Sequence, residues 1–114
     1  MSSIHEAPVF QLAYDLIKDA HLATKRFEKS EKYLLGERLK TTNLDLLLHI
    51  IEAGQQKRDW KIPAIDQALL ASEKLKILIR LTYDMKQISE RRYLIWQDKL
   101  QKTGRMLGGW RRSI

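Results

Sequence analysis

Apolar residues return every three or four positions through most of this chain, the spacing that lines one face of an α-helix. Val9, Ala13, Leu16, Ile17, Ala20, Thr24 and Phe27 form a first stripe, opened by Pro8, a residue tolerated in a first helical turn. The polar run EKSEK interrupts it. Ser30 is the expected N-cap of a second helix, whose stripe is Leu35, Leu39, Thr42, Leu46, Ile50 and Ala53, with Gly54 as its expected stop. QQKRDWK reads as a polar loop, after which Pro63 is expected to start a third helix with Ile65, Ala68, Ser72, Leu75, Ile79 and Thr82 in line. Ser89 is the expected N-cap of a fourth, carrying Tyr93, Trp96, Leu100, Thr103, Leu107 and Trp110. No stretch alternates as a strand would. Four helices with short loops predict one all-α domain over residues 1–114, an antiparallel up-down-up-down four-helix bundle.

Two helices carry more apolar surface than one inward face requires. In LDLLLHII, Leu44, Leu47, Leu48 and Ile51 fall off the main stripe of the second helix. In the third, Leu70, Ile77 and Leu81 form a line nearly opposite Ile65, Ser72 and Ile79. Wide stripes packing on two neighbours account for part of this. The rest predicts a homo-oligomer, because exposed patches of that extent are uncommon on monomers.

Charge changes the picture next. The chain has 21 basic and 14 acidic residues, a formal net charge of +7. Its last quarter holds Arg91, Arg92, Lys99, Lys102, Arg105, Arg111 and Arg112 against only Glu90 and Asp98, and so carries most of the excess. A basic element on a balanced body is the electrostatic footprint of a polyanion partner. On a helical wheel, Arg91, Arg92, Lys99, Lys102 and Arg105 occupy an arc of about 140°, beside the apolar stripe. Lys25, Arg26, Lys29 and Lys32 make a second cluster, and Lys57, Arg58 and Lys61 a third; ordinary solvated charge is the better reading for those two. Nucleic-acid phosphates fit the fourth helix best, with binding that is salt-dependent and largely indifferent to sequence, since no groove-reading motif is present.

Catalysis finds little support. With no cysteine, neither a disulfide framework nor a thiolate metal site can form. His5, His21 and His49 are scattered, and Lys18 and Leu46 stand where a Glu-x-x-His di-iron motif would need glutamate. Asp45 and His49 lie one turn apart, but a surface pair or an interface contact explains them better than a metal does. Gly36 and Gly54 are isolated, and no phosphate-binding fingerprint includes Gly104, Gly108 and Gly109. The expectation is a non-enzyme with no cofactor and no metal. MSSIHEAPVF has neither the basic start nor the apolar stretch of a secretion signal, and no run is long enough to span a bilayer, so a cytoplasmic protein without a membrane partner is expected.

Four blocks, VFQLAYDLI, FEKSEKYLLGERL, LDLLLHIIEA and the closing GRMLGGW, resemble the accessory variability determinant proteins of diversity-generating retroelements. They also resemble the wider four-helix family encoded in ribosomal-RNA intervening sequences. KSEKYLLGERL together with GRMLGGW points to the first branch. That resemblance implies a basic, barrel-shaped homopentamer. It further implies association with the retroelement reverse transcriptase and with nucleic acid, RNA or DNA, in support of mutagenic cDNA synthesis from template-repeat RNA. The alternative is a structural module of the intervening-sequence type with no polymerase partner.

The tail motif also has a physical interpretation. Gly108 and Gly109 are expected to end the fourth helix, and Trp110 to fold onto the bundle. Arg111 and Arg112 would then be displayed at a fixed place rather than on a loose end.

Overall fold

A computed structural model describes residues 4–114. A short 3-10 turn, Ile4–Glu6, leads into Ala7, whose extended backbone (φ −70°, ψ 137°) sets up Pro8 as the first residue of helix α1, Pro8–Thr24. A turn over residues 25–28 separates it from α2, which spans 29–55 in three continuous parts: Lys29–Glu31, a π-helical stretch Lys32–Gly36, and Glu37–Gln55. Helix α3 runs Arg58–Asp84 and α4 runs Glu90–Arg112. The described residues contain no strand.

Each helix packs against two others in a ring, α1 with α2, α2 with α3, α3 with α4 and α4 with α1. The assembly measures 44 × 23 × 21 Å. Between α3 and α4 the contacts pair Asp66 with Arg111, Lys76 with Gln97 and Tyr83 with Tyr93, so these two helices run in opposite senses. One core fills the ring. Leu16, Leu39, Leu46, Ile50, Ile65, Leu75, Ile79, Trp96, Leu100 and Leu107 are fully enclosed.

Thr24, Thr82 and Thr103 of the predicted stripes belong to this core because they satisfy their hydroxyls within their own helices, whereas Thr42 is only partly buried. Thr82 donates to the Leu78 carbonyl and Thr103 to that of Lys99, each at 2.7 Å, and Thr24 donates to His21 at 3.0 Å. Among the described residues, the buried atoms Asn43 Oδ1 and Ser72 Oγ have no hydrogen-bond partner.

Ser89 caps α4 as expected, its hydroxyl accepting from the Arg92 N–H at 3.1 Å. Four other boundary expectations are corrected. Ser30 does not cap α2; it lies inside the helix behind Glu28. Glu28 has its N–H taken by the Gln87 side chain at 2.8 Å, a bond that ties the α1–α2 turn to the α3–α4 turn. Helix α3 begins at Arg58 rather than Pro63, so KRDWK is helical apart from its first residue, Lys57, the N-cap. Lys61 draws the two helices together by donating to the carbonyls of Ala53 (2.9 Å) and Gly54 (3.4 Å) at the end of α2. Only Gln56 and Lys57 are needed to connect them. Pro63 sits in the second turn, where it removes the N–H that would have reached Asp59. Gly54 is not a stop either, because α2 continues to Gln55. Gly108 and Gly109 lie within α4, which runs on to Arg112, and no glycine has positive φ. Among the described residues only Lys86 (φ 63°) has left-handed backbone, and it closes α3 through Lys86 N–H to Tyr83 O and Gln87 N–H to Thr82 O.

Gly54 has a different purpose. A Cβ there would lie 2.7 Å from both Cβ and Cγ1 of Ile4, so only glycine lets the N-terminal turn rest on the end of α2. Gly104 meets nothing within 4 Å. The two positions should therefore respond oppositely in urea unfolding. Gly104→Ala is expected to raise stability by roughly 0.5–1 kcal/mol, the usual preference for alanine in a helix. Gly54→Ala is expected to lower it, and to become neutral or favourable once Ile4 is also replaced by glycine. A gain from Gly54→Ala alone would show that the contact with Ile4 does not constrain the fold.

Candidate nucleic-acid interface

The rotation of α4 about its axis decides which of its cations reach solvent. Its buried side is Trp96, Leu100, Thr103 and Leu107, with Tyr93 and Trp110 half-buried against the same core. Trp96 carries an N–H that must be satisfied once the ring is enclosed. Asp19 of α1 accepts it at 2.5 Å. The same carboxylate takes two bonds from Arg92, Nε at 3.3 Å and Nη2 at 3.1 Å, and the guanidinium lies 6.0 Å from the Trp96 ring centroid. This three-residue cluster joins α1 to α4 and fixes the helix in one orientation.

The far end is held in the same way. Arg111 forms a two-pronged bond with Asp66 of α3, at 2.7 and 3.3 Å. The Arg111 guanidinium, by its hydrogen bond first and its charge second, lowers the Asp66 pKa from the ordinary carboxylate value. Arg58 donates to the main-chain oxygen of Ile114 at 2.9 Å, and Lys61 stands 5.8 Å from the Trp110 ring centroid. At the tail, Trp110 packs against the core and Arg111 bonds Asp66 within a continuous helix, without a glycine break.

The seven cations singled out from the sequence therefore divide. Arg92 and Arg111 are bound to carboxylates on neighbouring helices. Lys102 is paired one turn away with Asp98 at 2.9 Å, both side chains about half exposed, a contact that contributes little. Arg91, Lys99, Arg105 and Arg112 have no ion pair among the described residues; three are exposed and Lys99 is partly so. Leu94, Ile95 and Met106 are exposed on the same helix.

The loop clusters come to lie at its two ends. Lys25, Arg26 and Lys29 are exposed beside the turn that Glu28 and Gln87 fasten to the start of α4. Lys57, Arg58 and Lys61 stand at the end where Arg58 meets Ile114. Positive charge thus follows one edge of the bundle over the length of α4, roughly 35 Å at 1.5 Å per residue.

Among the apolar residues expected at a subunit interface, Leu44, Leu48, Leu70, Ile77 and Leu81 are exposed, Ile77 to 71%. Leu47 is instead enclosed in the core and Ile51 is packed against it, because α2 turns that side toward the bundle interior. The π-helical stretch exposes two residues missed by periodicity, Tyr33 and Leu34, both 71% accessible. The partners Asp19 and Asp66 were also missed. Each is a lone acid in sequence, brought to its arginine only by the packing of different helices.

No group of three or more metal-ligating side chains occurs among the described residues, and no described helix is long and apolar enough to cross a membrane.

Removing the acceptor for Trp96 tests the orientation of α4. Asp19→Ala is expected to lower stability by about 1–3 kcal/mol in chemical denaturation, the range for orphaning a buried donor. Asp19→Asn should lose less, since its amide oxygen can still accept the indole N–H. Wild-type stability for the alanine variant would show that this cluster does not position the helix.

With the geometry in place, comparison with known proteins is informative. Neither the curated proteins nor the solved structures give a match. A family model described as bAvd-like matches residues 9–114, which include the packed helices and all seven cations. The chain belongs to the bAvd-like family, that of the accessory variability determinant proteins.

Proposed function

We propose that this protein is a non-enzymatic, homo-oligomeric accessory factor of a diversity-generating retroelement. It binds nucleic acid and the retroelement reverse transcriptase and supports mutagenic cDNA synthesis from template-repeat RNA in the cytoplasm. Family membership supports the retroelement assignment. The observation that carries the nucleic-acid part is the edge formed by Arg91, Lys99, Arg105 and Arg112, which have no carboxylate partner among the described residues.

In this proposal those four residues, with Lys102, meet phosphates, while Arg92 and Arg111 hold the helix that presents them. Counterion release then supplies most of the affinity, with little discrimination among sequences. Repeated copies multiply the effect, because linked sites raise the effective concentration of each next contact. The helices follow one another up-down-up-down, and Leu44, Leu48, Leu70, Ile77 and Leu81 are covered by neighbouring copies in a pentamer. Catalysis belongs to the polymerase.

Co-purification with the polymerase and its RNA, followed by cDNA synthesis with and without this protein, tests the assignment. Synthesis is expected to depend on the wild-type chain. A variant with Leu48→Glu and Leu81→Glu is expected to keep its helix content, sediment as a single subunit and fail to support synthesis. Full synthesis without the protein, or a single subunit already in the wild type, would contradict the proposal.

A further inference from the structure

The chain has three tryptophans, and the fold treats them differently. Trp96 is completely buried and bonded to Asp19, while Trp110 is half-buried against the core beside Lys61. Trp60 is 64% exposed. Among the described residues no second ring stacks on it and no cation stands over its face. An indole left in water forgoes the gain from burying one of the largest apolar side chains.

Its position is nevertheless fixed. Trp60 lies in the first turn of α3, and its N–H donates to the Lys57 carbonyl at 2.9 Å. Its neighbours are fastened on both sides: Arg58 bonds the Ile114 oxygen, and Lys61 bonds the carbonyls of Ala53 and Gly54. The ring is therefore carried on rigid backbone, at the end of the bundle that also holds Lys57, Arg58 and the last turn of α4. Within four residues of it in sequence stand three cations and one acid, Asp59.

We infer that Trp60 is a stacking platform for an unpaired nucleobase, and that this end of the bundle takes a single strand rather than a duplex. This rests on the proposal that the protein binds nucleic acid, and adds which form it binds. A single strand offers flat, unstacked bases between phosphates; a duplex hides those faces inside its stack. An exposed indole beside Lys57 and Arg58 matches the first, with the base on the ring and the flanking phosphates on the cations. Stacking on an aromatic side chain is worth about 1–3 kcal/mol per base and tolerates any base. That is consistent with an edge whose charges carry no sequence preference.

Binding of the full-length protein to oligodeoxythymidylate and to an abasic sugar–phosphate strand of equal length separates stacking from charge. The wild type is expected to bind the base-bearing strand about tenfold more tightly, with quenching of tryptophan emission. Trp60→Ala is expected to bind both strands equally, near the wild-type affinity for the abasic one. Trp60→Phe is expected to recover part of the difference, and circular dichroism should be unchanged in both. Equal wild-type binding of the two strands, or a preference that survives in Trp60→Ala, would overturn the inference alone. Failure of the wild type to bind either strand in dilute buffer would overturn the nucleic-acid proposal as well. A Trp60→Ala protein that keeps the preference but changes its mass in solution would overturn the inference by showing that a second copy covers the ring.

Discussion

Burial of Trp96 depends on Asp19. The indole is the largest side chain wholly inside the core, and its N–H would be a costly orphan there without the carboxylate of α1. That carboxylate carries a charge of its own, and Arg92 balances it from the same helix as the indole. The three groups satisfy one another only when α4 is turned so that Trp96 faces inward and Arg92 lies at the edge of the α1 contact. Every other side chain of α4 then takes its place by helical geometry, including the arc of cations on the outside.

The ring arrangement explains why that arc stays uncovered. Each helix meets two neighbours, so each keeps an outer face, and the four faces differ in character. On α2 and α3 the outer positions include Leu34, Leu44, Leu48, Leu70, Ile77 and Leu81, surface suited to another protein chain. On α4 they include Arg91, Lys102, Arg105 and Arg112, with Leu94, Ile95 and Met106 exposed among them. The proposed function gives apolar association and polyanion attraction different sides of one small bundle, so that assembly through the first would leave the second free. The two fastening points of α4, Asp19 near its start and Asp66 near its end, keep the charged edge straight between them.

What could be read from the sequence follows from which interactions are local. Helix interiors were legible because apolar period is a property of neighbouring residues; Leu16, Leu39, Leu75, Trp96 and Leu100 were placed correctly on that basis alone. Pro8 and Ser89 were legible because each acts on its own turn. Ser30, Gly54 and Pro63 misled, since each is a local signal overruled from a distance; the glycine pair at 108 and 109 misled because α4 runs straight through it. Gln87 caps Glu28 from another loop, Ile4 claims the space at Gly54, and Lys61 draws α3 back to Arg58. Leu47 fell on the wrong side because a wide stripe does not say which of its edges faces the neighbour. In the candidate interface, the excess of positive charge was visible, but its division was not. Separating Arg92 and Arg111 from the cations without acidic partners required Asp19 and Asp66, 73 and 45 residues away.

In the proposed function, α4 presents cations without carboxylate partners to phosphate. The salt dependence of RNA affinity separates the outcomes, measured for the wild type and for a variant with Arg91, Lys99, Arg105 and Arg112 all changed to glutamine. The log–log slope should fall by about three to four in that variant, at unchanged thermal stability. An unaltered slope in a folded variant would contradict the claim and place the phosphate contacts on another surface.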